Sequence, residues 1–476
     1  MIKEVSLFKI IAVMVYFWAI LVYLIVLIGV GAYRSRYVKN QDDFMVAGRK
    51  LSAKVLVGTL LATWIGSGSI IAGAGLAYDR GFPALWFDAG VWVAIIILYL
   101  IAGRVRKFAQ YTVPDILETR YNAAARVLGT IVTVIAYTAI VSYQFRAGGM
   151  VLNLITGISV ENGIIITALF VIGYTVLAGM ISVAYTDVVN GVIMVIGLFI
   201  ALPFLLNNAG GWNDVIRSLP ESHIHPFGGL SVMQALGYAL PTMLLLLGES
   251  GMYQRFFSAR DESTARKSVV GWIIGTIIIE TLIVVLAIVG SVLFTDIESE
   301  MVILHSVKSG LPVIIGCLTL AAIVAVIVST ADSFLLVPST NIIRDIYQRF
   351  INPNASQKQI VLYSRIVVVL LGLIAFMQVR FFEKVLEMAL YAYTMYGVGI
   401  TPAVLAAFFW KRATSAGGAS AIAGGMIMTV LWEILGGSTG IPTVYPALAT
   451  SLFCLVVVSL LTPSPDKSKW TPFFND

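Results

Sequence analysis

The sequence predicts an all-α membrane protein with thirteen transmembrane helices, and three observations support this fold class. First, 59% of the 476 residues are hydrophobic and 12% are charged, whereas soluble domains are usually about 45–50% apolar. Such a chain has too little polar surface to cover itself in water. Second, its basic residues concentrate in alternate loops. Third, two apolar segments contain a polar break with glycine, at GSGS (66–69) and at GES (248–250).

The apolar segments set the number of spans, because a helix needs about 20 mainly apolar residues to cross a bilayer. We expect one polytopic domain over 1–476, with no appended soluble domain. It comprises an extra N-terminal helix (10–33), a first repeat (53–207), a second repeat (232–410) and two C-terminal helices (417–461). The predicted spans are 10–33, 53–77, 82–103, 126–153, 160–182, 187–207, 232–255, 269–294, 311–337, 361–379, 384–410, 417–435 and 443–461.

The basic residues indicate the orientation of these spans, because cytoplasmic loops are enriched in Lys and Arg. With the N-terminus outside and the sides alternating, most of the 31 basic residues fall in inside loops. Arg146 falls within a span. The outside positions are Lys3, Lys9, Arg80, Arg217, Lys308, Arg380 and Lys384. We therefore expect a plasma-membrane protein with its N-terminus outside and its C-terminus in the cytoplasm.

The two breaks lie in the second and seventh segments, which are five segments apart and run in opposite directions. This spacing predicts a five-plus-five inverted repeat with two broken helices, as in many secondary transporters. An intact helix pairs its own backbone groups, whereas a break frees carbonyls for a cation and N–H groups for an anion. Small residues also serve tight helix packing, but two breaks at symmetric positions favour a binding site.

Three motifs carry a resemblance to a known family: ATWIG at 62–66, SVAYTDVV at 182–189 and VSTADS at 328–333. Together they resemble the sodium:solute symporter family over about 40–460. Within that family the motifs look most similar to the high-affinity choline-transporter branch. The resemblance implies sodium-coupled symport of a small organic solute by alternating access, with Na⁺ as the coupling ion.

The same resemblance implies a sodium site. Its ligands are the carbonyl oxygens of Ala62, Ile65 and Val326 and the hydroxyls of Ser329 and Thr330. Helical spacing places 326, 329 and 330 on one face, and hydroxyls are small neutral ligands suited to a monovalent ion that must also leave. The residues alone leave open that both hydroxyls only bond back to carbonyls of their own helix.

A second sodium site is a further hypothesis. An aspartate inside an apolar span is costly and is usually functional, and Asp332 is such a residue. Asp187 begins the predicted sixth span on the same side of the membrane, so the two carboxylates can meet. We expect Asp187, Ser329, Asp332 and Ser333 to form this site, and the alternative is that they line the exit route of the ion.

The substrate is expected between the two breaks. A tryptophan face such as that of Trp64 can hold an organic cation, and Asp88 matches a family position that contacts sugar in sugar carriers. Glu249 stands where choline transporters carry another tryptophan. It can bind a substrate amine or partner Arg146 or free N–H groups, and Arg146 can bind a substrate carboxylate or pair with Asp88. The candidates are Trp64, Ser67, Ser69, Asp88, Arg146, Glu249, Ser250 and Tyr253.

An acid and an arginine together favour an amino acid or another zwitterion, with an organic cation, a sugar or a carboxylate as alternatives. A channel needs a continuous polar pathway or a carbonyl filter repeated by symmetry, and the sequence has neither. A sensor needs an output domain, and an enzyme needs a cluster of reactive side chains within the spans. We therefore expect a small-molecule substrate, sodium and the lipid bilayer as partners, with no nucleic acid and no obligate protein partner.

Overall fold

A computed structural model describes residues 2–37, 39–108, 110–177, 179–436 and 439–474. Within these ranges the regular secondary structure is helical, apart from an isolated β-bridge between Leu51 and Ala259. Twelve helices are long and apolar enough to cross a membrane, and a bent pair supplies a thirteenth crossing. The crossings, in chain order, are Ile2–Ser35, Ala53–Trp64 with Gly68–Arg80, Leu85–Phe108, Ala123–Thr156, Val160–Leu177, Met180–Asn208, Val232–Gly248 with Ser250–Ser258, Glu262–Leu293, Val313–Asn341, Gln357–Gln378, Val385–Phe409, Ser415–Leu435 and Val444–Leu461.

Shorter helices connect these spans. A π-helix, Ile342–Ile351, continues the ninth span directly. The remaining short elements are Gln41–Val46, Ala47–Arg49, Phe82–Ala84, Val113–Arg120, Trp212–Ser218, Glu221–Ile224, Ser299–Met301, Val302–Gly310, Val379–Phe381 and Lys467–Phe474. The predicted all-helical membrane fold with thirteen spans and two broken helices is therefore confirmed.

The second span is broken where the sequence predicts. Its first half ends at Trp64, its second half bends away by 54°, and the intervening helix Gly68–Gly73 has π geometry. Helical hydrogen bonding stops with the N–H of Ile65, which donates to Leu61 O at 2.9 Å. Glycine is required at 68, because a Cβ there would lie 2.3 Å from the hydroxyl oxygen of Tyr393. The break therefore depends on close packing against the eleventh span.

The seventh span is interrupted at a single residue, Glu249, whose ψ of 112° is extended. Its side chain accepts hydrogen bonds from the N–H groups of Gly251 at 2.9 Å and Met252 at 2.6 Å. A carboxylate at this position is favoured because the N-terminus of a helix carries partial positive charge. The second break thus interrupts fewer residues than the first, and the side chain of Glu249 binds the N–H groups that the break exposes.

Two predicted boundaries are wrong in ways that matter for the site. The sixth span begins at Met180 and not at 187, so Asp187 lies about two turns inside the helix and is fully buried. Arg255 was expected in an inside loop, yet it belongs to the helix Ser250–Ser258 and is 0% exposed. Hydropathy makes both helices too short at these ends, because the ends carry polar residues that face the protein interior.

The core lies where the broken spans meet their neighbours. The ninth span packs along the sixth and fourth, and the seventh packs along the third and eleventh. Close approach of the third and seventh spans needs Gly90, because a Cβ there would lie 2.0 Å from the carbonyl oxygen of Ala239. Backbone contact of this kind is typical of membrane helices, which associate through small residues.

We therefore predict that Gly90→Ala lowers the thermal unfolding temperature of the purified protein. The added methyl group meets backbone that cannot yield without moving the seventh span, and overpacking of this kind costs about 1–3 kcal/mol. Gly173→Ala is the matched control, since a Cβ at that helical position meets nothing within 4 Å. Equal unfolding temperatures for the two variants would contradict this packing.

Candidate functional site

The five atoms expected to bind sodium lie together at the first break. The hydroxyl of Ser329 donates to Ala62 O at 2.9 Å and to Val326 O at 3.2 Å, and the hydroxyl of Thr330 lies 3.3 Å from Ile65 O. Both hydroxyls therefore bond across to the second span, so their role is not confined to bonding within their own helix. The group consists of neutral oxygens, which suits a monovalent cation better than a divalent one.

Local sequence explains this geometry. The break leaves carbonyls of residues 62–65 without helical partners, and the ninth span presents two adjacent hydroxyls to them. Gly66 permits the approach, because a Cβ there would lie 3.0 Å from Thr330 Oγ1. Ser329 and Thr330 are buried, at 0% and 2% exposure. A hydroxyl has one proton and two lone pairs, so it can donate to a carbonyl or turn a lone pair toward an ion.

The expected second ion site contains a residue that the sequence analysis did not place there. The guanidinium of Arg255 donates to Asp187 Oδ2 at 3.2 Å and to Ser333 Oγ at 2.9 Å. Ser333 also lies 3.3 Å from Asp332 Oδ1. The second oxygens of both carboxylates, Oδ1 of Asp187 and Oδ2 of Asp332, are buried without a partner. Three of the four predicted residues therefore cluster, around an internal cation.

Arg255 is also tied to the first half of the broken second span. Its Nε donates to Thr59 Oγ1 at 2.9 Å, and one of its terminal nitrogens contacts the hydroxyl of Thr63. Thr59 donates in turn to Asp187 Oδ2 at 2.5 Å. The second, sixth, seventh and ninth spans are thus joined by one hydrogen-bond network beside the sodium ligands. In the sequence, the one indication that Arg255 belongs to this network is its position shortly after the second break.

Three predicted substrate residues make hydrogen bonds at the second break. Glu249 accepts from two N–H groups of its own helix and contacts the hydroxyl of Tyr137. The hydroxyl of Ser250 lies 2.8 Å from that of Tyr396, and the hydroxyl of Tyr253 donates to Leu247 O at 2.9 Å. Of the two roles considered for Glu249, the structure shows the one in which it holds free N–H groups.

Arg146 does not pair with Asp88 as considered. Its guanidinium donates to the carbonyl oxygens of Val379 at 3.3 Å and Phe382 at 2.8 Å, beyond the end of the tenth span. The arginine therefore stabilises the connection between the tenth and eleventh spans.

The remaining candidates surround the first break. The indole N–H of Trp64 donates to Glu280 Oε1 at 2.9 Å, and that of Trp92 donates to Glu280 Oε2 at 2.7 Å. The Asp88 carboxylate is 3% exposed and interacts electrostatically with Glu280. Sequence analysis gave Glu280 no role, although a glutamate in an apolar span was itself a signal.

Ser67 and Ser69 lie in the break itself. The backbone N–H of Ser67 donates to the side-chain oxygen of Gln144 at 3.2 Å, while its hydroxyl is buried without a partner. Ser69 is 8% exposed in the π-helical segment. Within the described ranges, no group of three or more His, Cys, Asp or Glu side chains is arranged to hold a metal ion.

An inverted repeat with backbone carbonyls freed in the membrane core and two hydroxyls opposite them defines a cation-coupled secondary transporter. Comparison with known proteins agrees. Residues 44–427 match the model of the sodium:solute symporter family, and the chain belongs to this family. It is a multi-pass membrane protein that couples solute import to sodium, and its relatives are transporters, not enzymes.

Individual proteins show which kinds of transporter this chain is similar to. The high-affinity proline transporter PutP of Bacillus subtilis (strain 168) is 28% identical, with 94% of this chain and 98% of that protein aligned. A sodium/proline symporter of Staphylococcus aureus (strain JH9) is 25% identical over 94% and 92% of the two chains. A solved sodium-coupled sialic acid symporter in a substrate-bound, outward-open state shares the fold, with a TM-score of 0.84, 18% identity and coverage of 94% and 98%.

These relatives correct one expectation. The motifs pointed to the choline-transporter branch, whereas the similar curated proteins are proline transporters. The motifs that carried the expectation are ATWIG, SVAYTDVV and VSTADS, and they contain the residues expected to bind sodium. They identified the family correctly but not the similar branch within it.

We predict that Glu249→Gln lowers the thermal unfolding temperature without changing the affinity for substrate or sodium. The amide has one oxygen for two N–H groups, and loss of a helix cap costs about 0.5–2 kcal/mol. Glu262→Gln, an exposed first-turn glutamate, is the control. A variant with unchanged stability and weakened substrate binding would show instead that Glu249 contacts the substrate.

Proposed function

We propose that this importer binds its coupling sodium at Ala62 O, Ile65 O, Val326 O, Ser329 Oγ and Thr330 Oγ1, and that it carries an amino acid or another zwitterion. The observation that carries the sodium assignment is the convergence of two hydroxyls of the ninth span on carbonyls of a broken helix, at 2.9 and 3.3 Å. The hydroxyls that contact these carbonyls can turn a lone pair toward sodium instead, so binding needs little rearrangement.

Sodium at this position supplies the driving force for uptake. One charge that crosses 100 mV releases about 2.3 kcal/mol. At about 1.4 kcal/mol per tenfold, this concentrates a neutral solute or a zwitterion roughly 50-fold before any sodium gradient is added. A second coupled ion squares that factor.

The substrate class rests on two supports. Proline transporters are among the chain's relatives, and the first break offers Trp64, Ser67, Ser69 and Asp88 as contacts for a small polar solute. An organic cation is the second candidate, because the rings of Trp64 and Tyr393 face each other with centroids 6.4 Å apart, and aromatic faces attract organic cations.

The proposal includes an orientation and a division of the chain. The asymmetry of Lys and Arg supports an N-terminus outside and a C-terminus in the cytoplasm, in the cell membrane. We assign residues 53–207 and 232–410 to the two repeats, with the helices at 10–33 and 417–461 outside them.

The sodium site makes a direct prediction: Thr330→Val raises the sodium concentration for half-maximal uptake about tenfold or more. Valine keeps the shape of threonine but removes one ligand, and a tenfold loss corresponds to about 1.4 kcal/mol. The measurement is sodium-driven uptake of L-proline into proteoliposomes at varied external sodium.

Thr319→Val is the matched control on the same helix. Its hydroxyl bonds to Ile315 O at 2.9 Å and Gly197 O at 3.2 Å, ten residues before the ion ligands. An unchanged sodium dependence in Thr330→Val, or an equal change in Thr319→Val, would refute the assignment.

We further propose a second sodium position at Asp187 Oδ1 and Asp332 Oδ2. Both oxygens are buried and lack a partner, and Arg255 neutralises one of the two carboxylates. When both aspartates are ionised, the cluster keeps about one uncompensated negative charge, which is expensive in a membrane interior and which a second sodium ion would balance. The competing interpretation is that the same residues line the exit route of a single ion.

We predict that Asp332→Asn changes sodium activation of uptake from sigmoidal to hyperbolic. Two coupled ions give a Hill coefficient of up to about 2, and one ion gives about 1. Asp296→Asn, an exposed loop aspartate, serves as the control. A variant with an unchanged sigmoidal curve would favour the exit-route interpretation.

A further inference from the structure

Two acidic side chains lie near each other beside the first break, and the proposed ion sites use neither. Asp88 lies in the third span and Glu280 in the eighth, at 3% and 1% exposure. They are close enough to interact electrostatically, and the hydroxyl of Tyr393 lies within the field of both. Buried acids in a membrane are costly and need a compensating partner.

The hydrogen bonds around Glu280 fix its position. Each of its oxygens accepts from an indole N–H, of Trp64 at 2.9 Å and of Trp92 at 2.7 Å. An indole N–H donates only, so both tryptophans require an acceptor on Glu280. Both oxygens can accept in the ionised and in the protonated form. The pair therefore carries negative charge whenever at least one of the two acids is ionised.

The protein itself does not supply the compensating cation. Within the described ranges, no Lys, Arg or His forms an ion pair with Asp88 or Glu280, and no donor bonds to the carboxylate of Asp88. Arg146, the basic residue expected nearby, is bound to backbone carbonyls elsewhere. An uncompensated buried carboxylate costs several kcal/mol, even after relaxation, so the pair either takes up protons or is balanced by a cation that arrives with a ligand.

The walls of this site are aromatic. The rings of Phe87 and Tyr393 have centroids 6.1 Å apart, and those of Trp64 and Tyr393 are 6.4 Å apart. Tyr393 is held by Tyr143, with 3.0 Å between the hydroxyl oxygens. Hard metal cations need a shell of oxygen ligands, whereas aromatic faces with a nearby carboxylate suit an organic ammonium.

We propose that Asp88 and Glu280 form the subsite that binds the positively charged nitrogen of the substrate. This inference rests on the proposed sodium-coupled import and specifies the substrate class: a protonated or quaternary amine, alone or within a zwitterion. Asp88 contacts the nitrogen, and Glu280 is held beside it by the two indoles. Trp64, Phe87 and Tyr393 surround its carbon substituents.

The test compares ligands that differ only in the charged nitrogen. Thermal stabilisation of the purified full-length protein in sodium buffer is measured with L-proline against tetrahydrofuran-2-carboxylate, and with choline against 3,3-dimethylbutan-1-ol. We expect stabilisation only from nitrogen-bearing members, at affinities at least about tenfold tighter, or 1.4 kcal/mol, than those of their isosteres. The inference is wrong if an uncharged member stabilises as well as its partner, or if no compound among the twenty amino acids, betaine and choline stabilises the protein.

Two variants test whether Asp88 and Glu280 cause the preference for ligands with a charged nitrogen. Asp88→Asn removes charge without breaking any hydrogen bond of the described structure, so it should fold and lose at least about tenfold in affinity for the nitrogen compound. Glu280→Gln should lose more, since its amide cannot accept from both indoles. Glu161→Gln, an exposed glutamate of the fifth span, is the control. Unchanged affinity and charge preference in Asp88→Asn would overturn the inference.

The sodium response separates this inference from the proposed function. Stabilisation by sodium alone depends on the carbonyl and hydroxyl site and should persist in Asp88→Asn. If sodium gives no response in the unmodified protein, the proposed coupling is wrong. If sodium stabilises the unmodified protein, but the charged ligands and their uncharged isosteres stabilise it equally, only the amine subsite is wrong.

Discussion

The structure depends on one interruption of backbone hydrogen bonding, at Ile65–Ser67 of the second span. Four consecutive residues there face three different groups. The carbonyls of Ala62 and Ile65 meet the hydroxyls of the ninth span, Thr63 contacts Arg255, and the indole of Trp64 donates to Glu280. A continuous helix cannot do this, because its carbonyls are already paired. The ion site, the buried ion-pair network and the acidic aromatic site therefore share one piece of chain.

This sharing gives a physical route for coupling sodium to substrate. At the proposed site, a sodium ion would draw the carbonyls of Ala62 and Ile65 toward the ninth span and fix the backbone on both sides of Trp64. Under this proposal, the direction of the indole, and with it the orientation of Glu280, depends on whether the ion is bound. Coupling of this kind is reciprocal, because the substrate that orders Trp64 must tighten sodium binding by the same factor. No long pathway between distant sites is needed.

The sequence was informative where chemistry follows from local pattern. Apolar runs gave the spans, and paired glycine-bearing breaks gave the inverted repeat. It failed where partners come from other spans. Glu280 looked like an isolated buried acid because its donors, Trp64 and Trp92, lie about 190 to 220 residues away in the chain. Arg255 looked like a loop residue because the polar residues around it lower the hydropathy of a helix end. Arg146 and Asp88 had compatible charges, but tertiary packing gave each a different neighbour.

The distribution of buried charge also explains why sodium should not leak across alone. In the proposed scheme, a closed state without substrate leaves the Asp88–Glu280 pair buried with no cation beside it, and a buried charge that has no partner costs several kcal/mol. The ammonium of the substrate offsets that cost, whereas sodium at the proposed carbonyl and hydroxyl ligands lies among other atoms and does not. Under this proposal a closed state is favoured when ion and substrate are both bound. The first proposed sodium site has neutral ligands, and the Asp88–Glu280 pair is left for the substrate, so each ligand completes a part of the structure that the other does not.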